Sequence, residues 1–199
     1  MRYLAILIAA NIVTGAAYAD AWQEYRYPDF AFAVMFPVAP KVETTNYQPV
    51  DGRSVPARAW SVDAGKSQFK VTVADIANSG LQEAAIIDHA MKALSAGGEV
   101  KVDYPHRISQ VYGRQFSIVN RDGSRETAAV FDYNNRVYQI EAKLLPGGDD
   151  TDMIRFQQSL IFTDGGTNRP PELRNALREA CRGIVNNPAG PDDPRCQRK

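Results

Sequence analysis

Two short polar turns constrain this chain more than any other feature. Asp122-Gly123 separates 114–120 from 125–133, and Asn134-Asn135 separates 125–133 from 137–144. Glycine accepts the positive φ of a tight hairpin because it lacks a Cβ, and asparagine tolerates it because its short amide bonds locally. The flanking runs are rich in β-branched and aromatic residues, which suit a half-buried pleated surface. Two tight turns in succession place three strands side by side and antiparallel. The region 114–144 is therefore predicted to be a β-meander.

The upstream chain extends the same pattern. Residues 22–27 alternate aromatic and polar side chains, Pro28 and Asp29 form a turn, and 30–36 places Phe30, Phe32, Val34 and Phe36 on one face. Pro37 and Pro40 end that strand, since proline cannot donate to a ladder. Residues 42–48 are expected to pair with 57–62 across Val50-Asp51-Gly52. Residues 69–76 carry Phe69, Val71 and Val73 on one face and read as a central strand, and 100–104 reads as a short strand stopped by Pro105.

Two segments change period. Ala84, Ile87, Met91 and Leu94 recur at helical spacing and predict a helix over about 81–96, with Ser79 and Gln82 as a capping box and Gly97-Gly98 as its stop. After the break at Pro146-Gly147-Gly148, a second helix over about 150–160 turns Met153, Phe156 and Leu160 inward. The expected fold class is α+β: an antiparallel sheet of about six to eight strands sandwiched between helices.

The ends differ from this body. Arg2, the apolar run from Tyr3 to Val13 and Ala17-Tyr18-Ala19 form a secretory signal cleaved after Ala19, which predicts a periplasmic or secreted protein. The run is shorter than the ~20 residues a membrane span needs. The predicted organisation is a signal peptide at 1–19, an α+β domain at 20–164 and a tail at 165–199. In the tail, Asp164-Gly165-Gly166-Thr167-Asn168 is a linker and Pro170-Pro171 opens a third helix, with Leu173, Leu177, Ala180 and Ile184 on its apolar face. Cys181 and Cys196 are the only cysteines. In an oxidising compartment such a lone pair is expected to join, closing the turn-rich tail. A redox-active pair is the alternative, although such dithiols usually stand as Cys-x-x-Cys beside a helix start.

Charge divides along the same boundary. Residues 20–164 carry 15 basic and 19 acidic side chains, whereas 165–199 carry 7 basic and 4 acidic. A basic tail beside a mildly acidic body can dock on that body or meet an acidic partner. Over the whole chain the formal net charge is zero, which points to neither nucleic acid nor an anionic membrane.

Few residues suggest chemistry. His89 and His106 are the only histidines; the first falls on the wet face of the first helix and the second in a connection after Pro105. No G-x-S-x-G or H-E-x-x-H pattern accompanies them. Asp149, Asp150 and Asp152 are the one carboxylate cluster and a weak Ca²⁺ candidate, but they lack the D-x-[DN]-x-[DN]-G spacing. Carboxylates at a helix start are also favoured by its dipole with no metal. Arg174, Arg178 and Arg182 recur every four residues on the tail helix, as a candidate partner contact or simply its wet face.

Three scattered pieces carry a resemblance. They are Trp22-Gln23-Glu24-Tyr25 with Phe32 to Pro40, then Tyr112-Gly113-Arg114-Gln115-Phe116 with Arg136-Val137-Tyr138, and last Arg155 to Phe162. In this order they resemble small exported bacterial proteins of the PsbP/Mog1-like class, over roughly 22–162. The resemblance implies an antiparallel sheet between helices and a role in assembly, stabilisation or partner binding. It supplies no catalytic motif and no cofactor. The expectation is thus a non-catalytic periplasmic module for another envelope protein. A carrier of a small apolar ligand or lipid in a sheet–helix pocket is the alternative, and a hydrolase with an unrecognised site the third.

Overall fold

The computed structural model describes residues 22–77 and 80–164. The expected signal segment, Ser79, the segment expected to form a tail helix with its arginines, and both cysteines lie outside the described residues. Strands β1 (Gln23–Tyr27) and β2 (Phe32–Phe36) flank a 3₁₀ turn at Pro28–Phe30, and β3 (Lys41–Tyr47), β4 (Val55–Ala64) and β5 (Ser67–Asp75) follow. Helix α1 (Glu83–Leu94) precedes β6 (Gly98–Ile108), β7 (Val111–Asn120), β8 (Arg125–Tyr133) and β9 (Arg136–Leu144). Helix α2 (Thr151–Ser159) and β10 (Ile161–Phe162) complete the described chain.

Seven strands form one antiparallel sheet in the order β3-β4-β5-β9-β8-β7-β6, and β1-β2-β10 form a second. The predicted meander is the β7-β8-β9 portion of the large sheet. Its turns have the expected backbone, with Gly123 at φ 78°, Asn134 at 53° and Asn135 at 60°. The hairpin of β3 and β4 pairs Val42 with Trp60 and Tyr47 with Val55.

Alternation gives the large sheet two different faces. One face carries Trp60, Val62, Phe69, Val71, Phe131, Tyr138 and Ile140, packed against Phe32, Val34 and Phe36 of β2 and Met153 and Phe156 of α2. The other carries Ala57, Ala74, Phe116, Ile118, Val130 and Val137, packed against Ile86, Ile87, Ala90 and Met91 of α1. The expected helix–sheet–helix sandwich is therefore corrected on one side. There the cover is the small sheet together with α2, because the aromatic face of β2 needs the same burial that a helix stripe would.

The fragments behind the family resemblance are structural joints. Gly113 lies under the Phe131 ring, and a Cβ there would stand 2.2 Å from the Val130 carbonyl oxygen and 2.5 Å from Phe131 Cδ1. Arg114 forks onto the Asp103 carboxylate through Nε and Nη2 and reaches Asp88 of α1 at 3.3 Å, tying the sheet edge to the helix. Arg136 donates to the Asp29 carbonyl at 2.7 Å, and the Tyr138 hydroxyl donates to the Phe30 carbonyl at 2.8 Å, which pins the 3₁₀ turn. Ser159 accepts from the Met35 amide at 3.0 Å and so joins α2 to β2. The Arg155 guanidinium lies over the Trp22 ring at 5.4 Å.

Several local expectations differ. Phe30 belongs to the 3₁₀ turn, not to β2. The N-cap of α1 is Gln82, with no side-chain cap, in place of a Ser79–Gln82 box. Ala84 is exposed, and Ile86 and Ala90 join the buried stripe in its place. Strand β6 runs eleven residues straight through Pro105, since an edge strand can leave the proline nitrogen on its unpaired side. That strand turns back at Ser109-Gln110, so β7 begins at Val111.

Candidate functional site

Helix α1 covers only part of its sheet face. It packs chiefly on β8 and β9, over the end of the strands nearest the Asn134-Asn135 turn. Toward the other end the same face is open, and its outward positions turn from apolar to charged. The pairing registers fix this pattern. Ser61 stands opposite Lys70, which stands opposite Glu141; one step further, Gln68 and Glu126 both stand opposite Lys143. Asp63 extends the second row beyond Gln68. These side chains line a cleft of about 340 Å³.

Acid and base alternate across that cleft. Lys70 Nζ lies 2.9 Å from Glu141 Oε1, off the line of a hydrogen bond, so the contact is an ion pair. Lys143 Nζ lies 3.5 Å from Asp122 in the β7–β8 turn. The Glu126 carboxyl is pushed above the usual range, first by burial and then by the Glu141 charge; its bond with Asn120 and the nearby Lys143 and Lys70 work against that rise. Backbone register thus sets a ladder of alternating charge along the cleft. Such a surface offers ionic and hydrogen-bonding partners to a complementary face.

The residues singled out from the sequence go elsewhere. His89 is half-buried, with Nε2 2.8 Å from the Gln48 carbonyl oxygen, so it ties α1 to the β3–β4 loop instead of standing in solvent. His106 is in β6, not in a connection; its ring meets Phe131 at 5.8 Å, and burial lowers its pKa. Asp149 accepts from the Thr151 amide at 3.0 Å and hydroxyl at 2.9 Å, bonds that pull its pKa down. Asp150 is the N-cap of α2, with its carboxylate 3.5 Å from Arg125, and Asp152 sits in the first turn. Among the described residues, no group of three or more His, Cys, Asp or Glu side chains gathers as a metal site. The three aspartates act as helix-start residues here. Arg174, Arg178 and Arg182, like Cys181 and Cys196, fall outside the described residues.

Sequence reasoning missed the charged ladder. Its signal was present in β5 and β9, where Lys70 and Glu141 occupy the positions between the apolar ones. Only the register shows that they meet.

No family model matches the chain, and no curated protein matches it. Among solved structures, the chain is similar to the solution structure of cyanobacterial PsbP (CyanoP) from Synechocystis sp. PCC 6803. That similarity has a TM-score of 0.47 and 13% identity, over 74% of this chain and 96% of that one. It is also similar to a Pseudomonas aeruginosa protein of unknown function, PA94, described as a putative regulator. There the TM-score is 0.33 and the identity 11%, over 84% of this chain and 98% of that one.

Proposed function

We propose that the protein is an exported, non-catalytic interaction module of the cell envelope, and that the open half of the α1-side sheet face receives another envelope protein. The observation that carries this reading is the ladder of Asp63, Lys70, Glu126, Glu141 and Lys143 held in register on an uncovered sheet. Charges fixed by a backbone ladder suit recognition, because they suppress mismatched partners and set orientation. The engagement of His89 with Gln48 and of His106 with Phe131 supports the non-catalytic part. A carrier of apolar ligand gains no such support, since the seam between α1 and the sheet is filled by Ile86, Ile87, Ala90 and Met91.

The test uses Asp63→Lys and Lys143→Glu in tagged mature protein recovered from the envelope. The expected result is one stoichiometric partner with wild type and about tenfold less with the double variant. The melting temperature should move by no more than about 4 °C, as for other surface substitutions. Equal recovery by both proteins contradicts the reading. So does turnover of any substrate in a hydrolase screen.

A further inference from the structure

The large sheet has two edges, and they are guarded unequally. Edge strand β6 carries Pro105, which has no backbone donor, and its register shifts between Val100 and Val102. Proline and a bulge are devices by which a sheet edge avoids adding another strand. The opposite edge strand, β3, has neither. Its seven residues pair with β4 without a register shift, from Lys41 opposite Ser61 to Tyr47 opposite Val55. Lys41 to Asn46 are all exposed, and among the described residues no strand pairs with the outer side of β3. Such an open row of backbone N–H and C=O groups is a template for one more strand.

The side chains of β3 indicate which strand fits. Lys41 and Glu43 share the cleft side of the sheet, opposite Ser61 and Ala59, and pair with each other at 2.6 Å. Val42 projects from the other side, opposite Trp60, and is 50% exposed. An antiparallel copy of the same strand, centred on Val42, sets each Lys41 opposite the other copy's Glu43. Four alternating charges then form a square, and the two Val42 side chains meet on the opposite face. Opposite charges and apolar pairs are the favourable cross-strand neighbours. Centring on Glu43 would set two carboxylates against each other, and centring on Thr44 would put Glu43 opposite Thr45 and lose the ion pairs.

We propose that the protein self-associates through β3, two copies pairing antiparallel about Val42 with Lys41 and Glu43 reciprocally opposite. Pairing from Pro40 to Thr44 joins five residues of each copy, and Pro40 is tolerated because it opens the strand. The two-fold axis stands perpendicular to the sheet, so the seven strands of each copy become one continuous sheet with both clefts on the same side. The pairing itself needs no partner in the cleft. So short an interface is small against the ~1,200 Å² of a stable one, and the dimer forms and dissociates with concentration.

Sedimentation equilibrium of the full mature chain tests the proposal, up to about 1 mM, where even a millimolar interface assembles. Wild type should shift from monomer toward dimer as concentration rises. Lys41→Glu sets glutamate against glutamate at both cross-strand pairs, and Glu43→Lys sets lysine against lysine. Each should weaken the dimer about tenfold. Lys41→Glu with Glu43→Lys in one chain restores opposite charges and should recover the wild-type dissociation constant. A 1:1 mixture of the two single variants should form a heterodimer about tenfold tighter than either forms alone. Wild type that stays monomeric at every concentration overturns the proposal. So does a dimer that both single variants leave intact, or a mixture no tighter than its components.

Discussion

Substituting Asp132 by asparagine should make the protein more stable at neutral pH. Asp132 projects from β8 toward α1, where burial, and then the Glu83 charge in the first turn of the helix, raise its pKa from 3.8 to about 6. The folded state then holds a proton between about pH 4 and 6 that the unfolded chain has released. Stability from this group is fully present below the unfolded pKa and is lost as pH rises through 6. A shift of about two units corresponds to about 3 kcal/mol. Asp132 is only half-buried, and solvent screening reduces that to about 1 kcal/mol. Urea unfolding followed by Trp22 and Trp60 fluorescence at pH 4.5, 6.0 and 7.5 measures the effect. Comparing variant with wild type isolates this carboxyl from Glu126, Asp122 and Asp149, whose own shifts are common to both proteins. Asp132→Asn should gain about 1 kcal/mol at pH 7.5 and little at pH 4.5. A variant less stable at pH 7.5, or a gap that does not change with pH, would refute the reasoning.

Other substitutions probe the packing. Phe156 of α2 is fully buried between Phe36 and Phe69, with ring centroids at 5.2 and 5.0 Å, so Phe156→Ala should cost about 3–5 kcal/mol in the same unfolding assay. Gly113→Ala forces a Cβ against the Val130 carbonyl and the Phe131 ring, and should cost about 1–3 kcal/mol while disturbing the His106 end of β6. The Tyr47 hydroxyl is buried without a hydrogen-bond partner, and burial raises its pKa to about 12. Tyr47→Phe should therefore leave the melting temperature unchanged or raise it, and a clear fall would reveal a bond that the geometry lacks.

The turns were legible in the sequence because their chemistry is local. Asp122-Gly123 and Asn134-Asn135 announce positive φ whatever surrounds them, and both hairpins follow. The large apolar residues of the strands and of α2 were legible for the same reason. Features that depend on tertiary context were not. Pro105 stops a central strand but not an edge strand, and its place at the edge is decided by pairings far along the chain. Ser109 takes a positive φ of 56° with no glycine or asparagine to mark the turn. Strand β10 has two residues and no period to detect, yet it completes the small sheet that shares with α2 a layer expected to be helical alone. The candidate site was hidden in the same way. Lys70 and Glu141 are 71 positions apart, and only the β5–β9 register brings them opposite each other.

The central claim is that the uncovered half of the α1-side face is a recognition surface. Site-specific photo-crosslinking in living cells tests it most directly, with the crosslinker at Gln68 in the cleft or at Ala93 on the exposed side of α1. The account predicts one discrete envelope adduct from Gln68 and none from Ala93. Equal labelling from both positions, or none from Gln68 while the protein is at its native level, would contradict it.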